Sequence, residues 1–179
     1  MSTNLRVSCL LILGLAFVAC KKSGQSQVQA EAPAAPRATA IAMNQATQTI
    51  EVSVTDDVDS KKLFELLQLG EQTKASYFFK SFDAADELVH VSCERNKLPV
   101  GLAHSCSIRV KLSDAPGAKT KIAIAGTQVI ATLDEADASR LLAAAEGLDF
   151  SSHDGKLTLK CESAKSAVAS PCTVAVRLK

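Results

Sequence analysis

The sequence predicts an α+β protein in which one unit is used twice: strand, helix, short strand, then a two-stranded hairpin. Antiparallel strands dominate, two helices accompany them, and each hairpin is clipped by a disulfide. Three observations predict this. Residues 88–112, LVHVSCERNKLPVGLAHSCSIRVKL, and residues 156–178, KLTLKCESAKSAVASPCTVAVRL, share one pattern. In each, an alternating apolar run ends in Cys-Glu, a polar loop follows, and a second Cys opens another alternating run. Each is preceded by a strand pattern and a capped helix pattern. Between the two stands SDAPG, residues 113–117, a strong turn signal that separates the copies.

The first strand is IEVSV, residues 50–54, with Ile50, Val52 and Val54 on one face by period two. DDVDSKKLFELLQLG follows as a helix. Asp59 or a nearby Asp caps it, Leu63, Phe64, Leu66 and Leu67 form its apolar stripe, and Gly70 is the expected stop. KASYFFKSF, residues 74–82, reads as the variable strand and holds four of the chain's seven aromatics. Because Tyr77, Phe78 and Phe79 are consecutive, they cannot all face one side of a strand. The first hairpin closes this copy. KTKIAIAG, residues 119–126, reads as an extra strand joining the halves. QVIATL then repeats the first strand, Asp134 caps the second helix, Leu141, Leu142 and Ala145 supply its stripe, and Gly147 is its expected stop. LDFSSHDG is the shorter counterpart of the aromatic strand, and the second hairpin ends the copy.

In both hairpins the cysteines lie on the apolar parity, next to the loop. The expected pairs are therefore Cys93–Cys106 and Cys161–Cys172, each closing a loop of about a dozen residues worth about 3 kcal/mol. His90, Cys93, His104 and Cys106 also offer two nitrogens and two sulfurs. The second copy has no matching histidines and the two histidines differ in phase, so no metal is expected. About 130 residues make one core, and neither half is comfortable alone. The expected organisation is a single α+β domain over 49–179, with repeats at 49–114 and 119–179.

Ahead of the domain, the first twenty residues are MSTNLRVSCLLILGLAFVAC. Arg6 gives a short positive start, and the apolar run from Leu10 to Val18 is too short to span a bilayer. The run ends in FVAC, which resembles the lipobox of bacterial lipoproteins, with Phe17 where that family prefers Leu. The resemblance covers these twenty residues only. It implies a signal peptide at 1–19, two acyl chains on Cys20 and anchoring in membrane lipid. Lys21 and Lys22 stand where an Asp would retain such proteins in the inner membrane, which implies the outer membrane, facing the periplasm. Residues 21–48 are rich in Ala, Gln, Ser and Pro and lack aromatics, so 20–48 is expected to be lipid attachment and flexible tether. Export is also what lets the four remaining cysteines pair.

Little in the chain carries chemistry. There is no Trp, no Gly-rich phosphate loop, no Cys-x-x-Cys and no serine elbow. Asp56-Asp57-x-Asp59 and Asp134-Glu135-x-Asp137 recur at the same point before each helix, which capping explains. From residue 48 on, 16 Lys and Arg face 18 Asp and Glu, which disfavours nucleic acid. No catalytic residue and no cofactor is expected. The leading expectation is a noncatalytic envelope binding or structural module that recognises a protein, with Tyr77, Phe79, Leu98 and Val100 as contacts. A second is a hydrolase or carbohydrate-active enzyme using scattered carboxylates or His153. A third is an enzyme inhibitor presenting the loop at 94–105.

Overall fold

Alternation in the sequence becomes two antiparallel sheets in the computed structural model, which describes residues 39–97, 103–113, 116–142, 147–162 and 171–179. The first copy runs β1 (Thr39–Asn44), β2 (Thr49–Val54), α1 (Asp57–Leu66), β3 (Gln72–Thr73), β4 (Tyr77–Asp83), β5 (Val89–Asn96) and β6 (His104–Lys111). The second runs β7 (Lys121–Ala125), β8 (Gln128–Thr132), α2 (Glu135–Leu142), β9 (Leu148–Ser151), β10 (Leu157–Cys161) and β11 (Cys172–Arg177). The sheet orders are β1-β2-β6-β5-β4-β3 and β7-β8-β11-β10-β9. Apart from the two-residue β3, the orders match strand for strand, so the duplication read from the hairpins extends over the whole fold.

The register is what the parity of the cysteines requires. Cys93 lies directly opposite Cys106, and Cys161 directly opposite Cys172. Both pairs are disulfides. On the same parity, Ile50, Val52, Val89, Val91, Ile108 and Val110 are fully buried, as are Leu157, Leu159, Val174 and Val176 in the second sheet. The helices add Leu63 and Leu141, and one apolar cluster spans both copies. Each such side chain stabilises by about 1.5–3 kcal/mol relative to exposure.

Three expectations are corrected. The segment expected to be tether contains β1, so paired strands reach back to Thr39, ahead of the expected boundary at residue 49. Composition misled here because β1 is an edge strand. Its stability comes from backbone pairing with β2 and from Thr39, while its large side chains contribute little: Ile41 packs on the core, but Met43 is 53% exposed. KTKIAIAG is accordingly no joining strand; as β7 it repeats β1 in the second copy, pairing with β8 as β1 pairs with β2. Finally, α1 ends at Leu66, ahead of Gly70. Leu67 is its C-cap in an extended conformation, and the Lys80 ammonium donates to the carbonyls of Phe64 and Leu67. A charged side chain thus satisfies carbonyls that a left-handed glycine would otherwise help to cap. At the N-termini, Asp56 caps α1 and Asp134 receives the amide of Asp137 in α2. The expected stop of α2 at Gly147 is preceded by residues outside the described set.

The copies hold each other by four reciprocal contacts. Asp59 of α1 accepts the backbone N–H of His153 in the β9–β10 turn (2.7 Å), and Asp137 of α2 accepts that of Ala85 in the β4–β5 turn (2.8 Å). Asp154 of that second turn accepts the N–H and hydroxyl of Thr39, both at 3.0 Å. Asp86 of the first turn accepts the N–H and hydroxyl of Thr120, at 2.7 and 3.1 Å. The same residue types meet in both directions, as at a two-fold symmetric interface. Thr39, Thr120, Asp59 and Asp137 are buried polar residues, and each finds its partner across this junction.

Candidate functional site

Because the inner faces of both sheets are occupied by core, the surfaces left for recognition are the outer faces. The outer face of the six-stranded sheet is built from positions alternating with the buried set. Cross-strand register places Ser53, Ser107, Ser92 and Ser81 side by side in one row across β2, β6, β5 and β4. None of these four hydroxyls is hydrogen-bonded to another described residue. A depression of about 370 Å³ is lined by Ser53, Ser107 and Ser92 of this row together with Thr55, Glu94 and Ser105.

Beyond Glu94 in the next row stands Phe79, with Tyr77 two residues away on the same face. Their rings meet edge to face, 6.2 Å between centroids. Lys74 lies over both, with its nitrogen 5.4 Å from the Tyr77 ring and 4.6 Å from that of Phe79. Phe78 takes the opposite side, packed on the core beneath Arg95, whose guanidinium carbon is 4.7 Å from its ring centre. The consecutive aromatics therefore split between faces as strand geometry demands. Tyr77 and Phe79, expected as contacts, are half-buried neighbours on the outer side. Leu98 and Val100, the other two expected contacts, lie outside the described residues, as do residues 98–102 of the loop assigned to an inhibitor.

One row to the other side of the serines, charge replaces hydroxyls. Glu51, Arg109, His90 and Asp83 sit in register across four strands. The Asp83 carboxylate contacts His90 Nδ1 at 2.6 Å. With Thr49, Glu87, Leu88 and Lys111, the last three of these four residues line a second depression of about 320 Å³. Sequence reasoning weighed His90 only as a metal ligand. The signal for this cluster was its parity: His90, Arg109 and Lys111 alternate with core residues on adjacent strands.

The four-ligand set His90, Cys93, His104 and Cys106 is not assembled. Both cysteines are in a disulfide, His90 faces outward with Asp83, and His104 lies inward. The His104 ring meets that of Phe64 edge to face at 5.8 Å, and its backbone N–H donates to Asp57. Among the described residues no group of three or more His, Cys, Asp or Glu side chains has metal-binding geometry. His153 is exposed in its turn, and its neighbour Asp154 is occupied by Thr39, Ser152 and Lys156. No helix among the described residues is long and apolar enough to cross a membrane. No family model, no curated protein and no solved structure matches this chain.

Proposed function

We propose that this chain is a noncatalytic recognition module of the bacterial cell envelope. Lipid on Cys20 tethers it to the outer membrane on the periplasmic side, and it binds an envelope protein through the outer face of the six-stranded sheet. One observation carries the reading: the two copies agree in strand order, helix N-caps and disulfide clips but differ on their outer faces. The row Ser53–Ser107–Ser92–Ser81 corresponds to Thr132–Thr173–Lys160–Asp149, and Gly147, next to β9, stands where the first copy has Phe79. A shared scaffold with one distinctive face separates what folding needs from what recognition uses. An aromatic pair beside unpaired hydroxyls is also the composition of a contact surface, apolar area flanked by adaptable polar groups. The lipid tether rests on the FVAC resemblance.

Site-specific photocrosslinking in intact cells tests the reading. A crosslinker at Ser92 should give one reproducible protein adduct, and a crosslinker at Lys160 on the other sheet should not. No adduct, or the same adducts from both faces, would reject the assigned face. Cys20→Ser should move the protein from the membrane to the soluble fraction; unchanged fractionation would reject the tether.

An enzyme reading has one specific observation in its favour, the short Asp83–His90 contact, which orients an imidazole as hydrolases do. It lacks the rest of the set: no hydroxyl or thiol among the described residues is hydrogen-bonded to His90.

A further inference from the structure

We propose that the depression between Arg109, Lys111 and His90 is a binding site for a carboxylate group, held by the Arg109 guanidinium and the Lys111 ammonium. This deepens the recognition reading and rests on it, since the site lies on the face assigned there and the carboxylate would belong to the protein partner.

Arg109 and Lys111 are two residues apart on β6, so both side chains leave the same face of the sheet. Neither makes a side-chain ion pair or hydrogen bond to any described residue. Glu51 lies directly opposite Arg109 in register, yet it forms no ion pair with it. Two unpaired cations therefore border one depression of about 320 Å³. His90 stands opposite Arg109 on β5, and its Nδ1 is held by Asp83 at 2.6 Å, which fixes the ring beside the cations.

The second copy shows that this cluster is not needed to fold the sheet. By register, Ser151 stands where the first copy has Asp83, Thr158 in place of His90, and Ala175 in place of Arg109. The strands pair in the same order without the charges.

Charge selects the kind of anion. Asp83 and Glu87 line the same depression, so its two cations face two acids. A dianion such as phosphate would be repelled by these acids more strongly than a monoanion. A carboxylate carries one charge, and its two oxygens match the guanidinium fork. The group is either a chain-terminal carboxylate or an Asp or Glu side chain.

The chain has three histidines, so ¹³C-histidine labelling of the full chain in detergent micelles reads the site directly. Three probes are titrated at constant ionic strength: N-acetylalanine for a terminal carboxylate, N-acetyl-aspartic acid α-amide for a side chain, and inorganic phosphate. The expected result is a saturable shift of the His90 signal with at least one carboxylate, with His104 and His153 unmoved. The tighter carboxylate identifies the source. Arg109→Ala should weaken binding about tenfold or more, as loss of a charge-assisted contact does, while Arg177→Ala on the other sheet leaves it unchanged. Unmoved His104 and His153 signals in the Arg109 variant show that it is folded. Tighter binding of phosphate than of either carboxylate, or no saturable shift, would overturn the proposal. Saturable carboxylate binding without a Ser92 adduct would keep this site and drop the recognition reading; an adduct without carboxylate binding would do the reverse.

Discussion

Lys80 and Leu148 hold equivalent places, each opposite the first hairpin cysteine of its copy. Leu148 is buried and apolar, as the inward parity requires. Lys80 has the same parity but carries a charge, and the end of α1 explains it. Its ammonium donates to Phe64 O at 2.9 Å and to Leu67 O at 2.7 Å, with the Phe64 ring 4.6 Å away. Burial is the largest influence on this ammonium and lowers its pKa; Glu71 and Glu65 oppose that, and nearby Arg95 adds to it. The cation is therefore retained at a desolvation cost because two carbonyls at the negative end of a helix need a donor. Replacing Lys80 with Met keeps the stem and removes the donor. Lys80→Met should destabilise the domain by about 1–2 kcal/mol in urea denaturation. Equal or greater stability would mean that relief of desolvation outweighs the cap.

The edge hairpins depend on the two aspartate turns, and acid should expose that dependence. Burial pushes the Asp86 carboxyl up, but donors from Thr120, Leu88 and Lys119 outweigh it and hold the group below its ordinary value of 3.8. Burial likewise raises Asp154, and Ser152, Lys156 and Thr39 together bring it below the same value. A carboxyl whose folded value is lowered contributes stability that is complete above its unfolded value and lost as pH falls through the folded one. Thermal melts should therefore decline as pH falls below about 4, and Asp86→Asn with Asp154→Asn should flatten that decline. An unchanged profile in the double variant would assign the acid sensitivity elsewhere. Single Asp154→Ala should also speed hydrogen exchange in β1 and β2, because Thr39 loses both bonds that anchor the edge.

Hairpins, caps and disulfide pairing were legible because they obey local rules of period two and helix-end chemistry. Removing one clip, as in Cys161→Ser with Cys172→Ser, should cost about 3 kcal/mol in the chain-entropy argument; a loss near zero would contradict it. β1 was not legible, since an edge strand held by backbone pairing and one threonine leaves little apolar signal. Asp59 and Asp137 were read as helix-end charges. Their bonds to His153 and Ala85 span 94 and 52 residues, and no local pattern reports such distances. The candidate site was half legible: Tyr77 and Phe79 stand out in composition, whereas the row of His90, Arg109 and Asp83 arises only from register.

At the scale of the whole molecule, the reciprocal contacts decide whether the copies fold separately. Lys62 of α1 reaches the ring of Phe150 in the second copy at 5.9 Å, and Arg140 of α2 reaches Phe82 in the first at 5.3 Å. Arg140 also pairs with Asp137 at 2.6 Å and donates to the carbonyl of Asp83. Each helix thus serves its own sheet and the turn of the other. Phe82 and Phe150 belong to the one cluster that joins both sheets, so unfolding either copy would strip apolar cover from its twin. The expected behaviour is one cooperative transition for both sheets. Asp137→Ala provides the sharper test, since its carboxylate lies in the second copy and its acceptor role serves the first. It should lower the protection of β4 and β5 amides together with those of β10 and β11, by about 2–3 kcal/mol for a buried charge-assisted contact. Two separate transitions, or a loss of protection confined to the second sheet, would show that the copies are independent domains packed side by side.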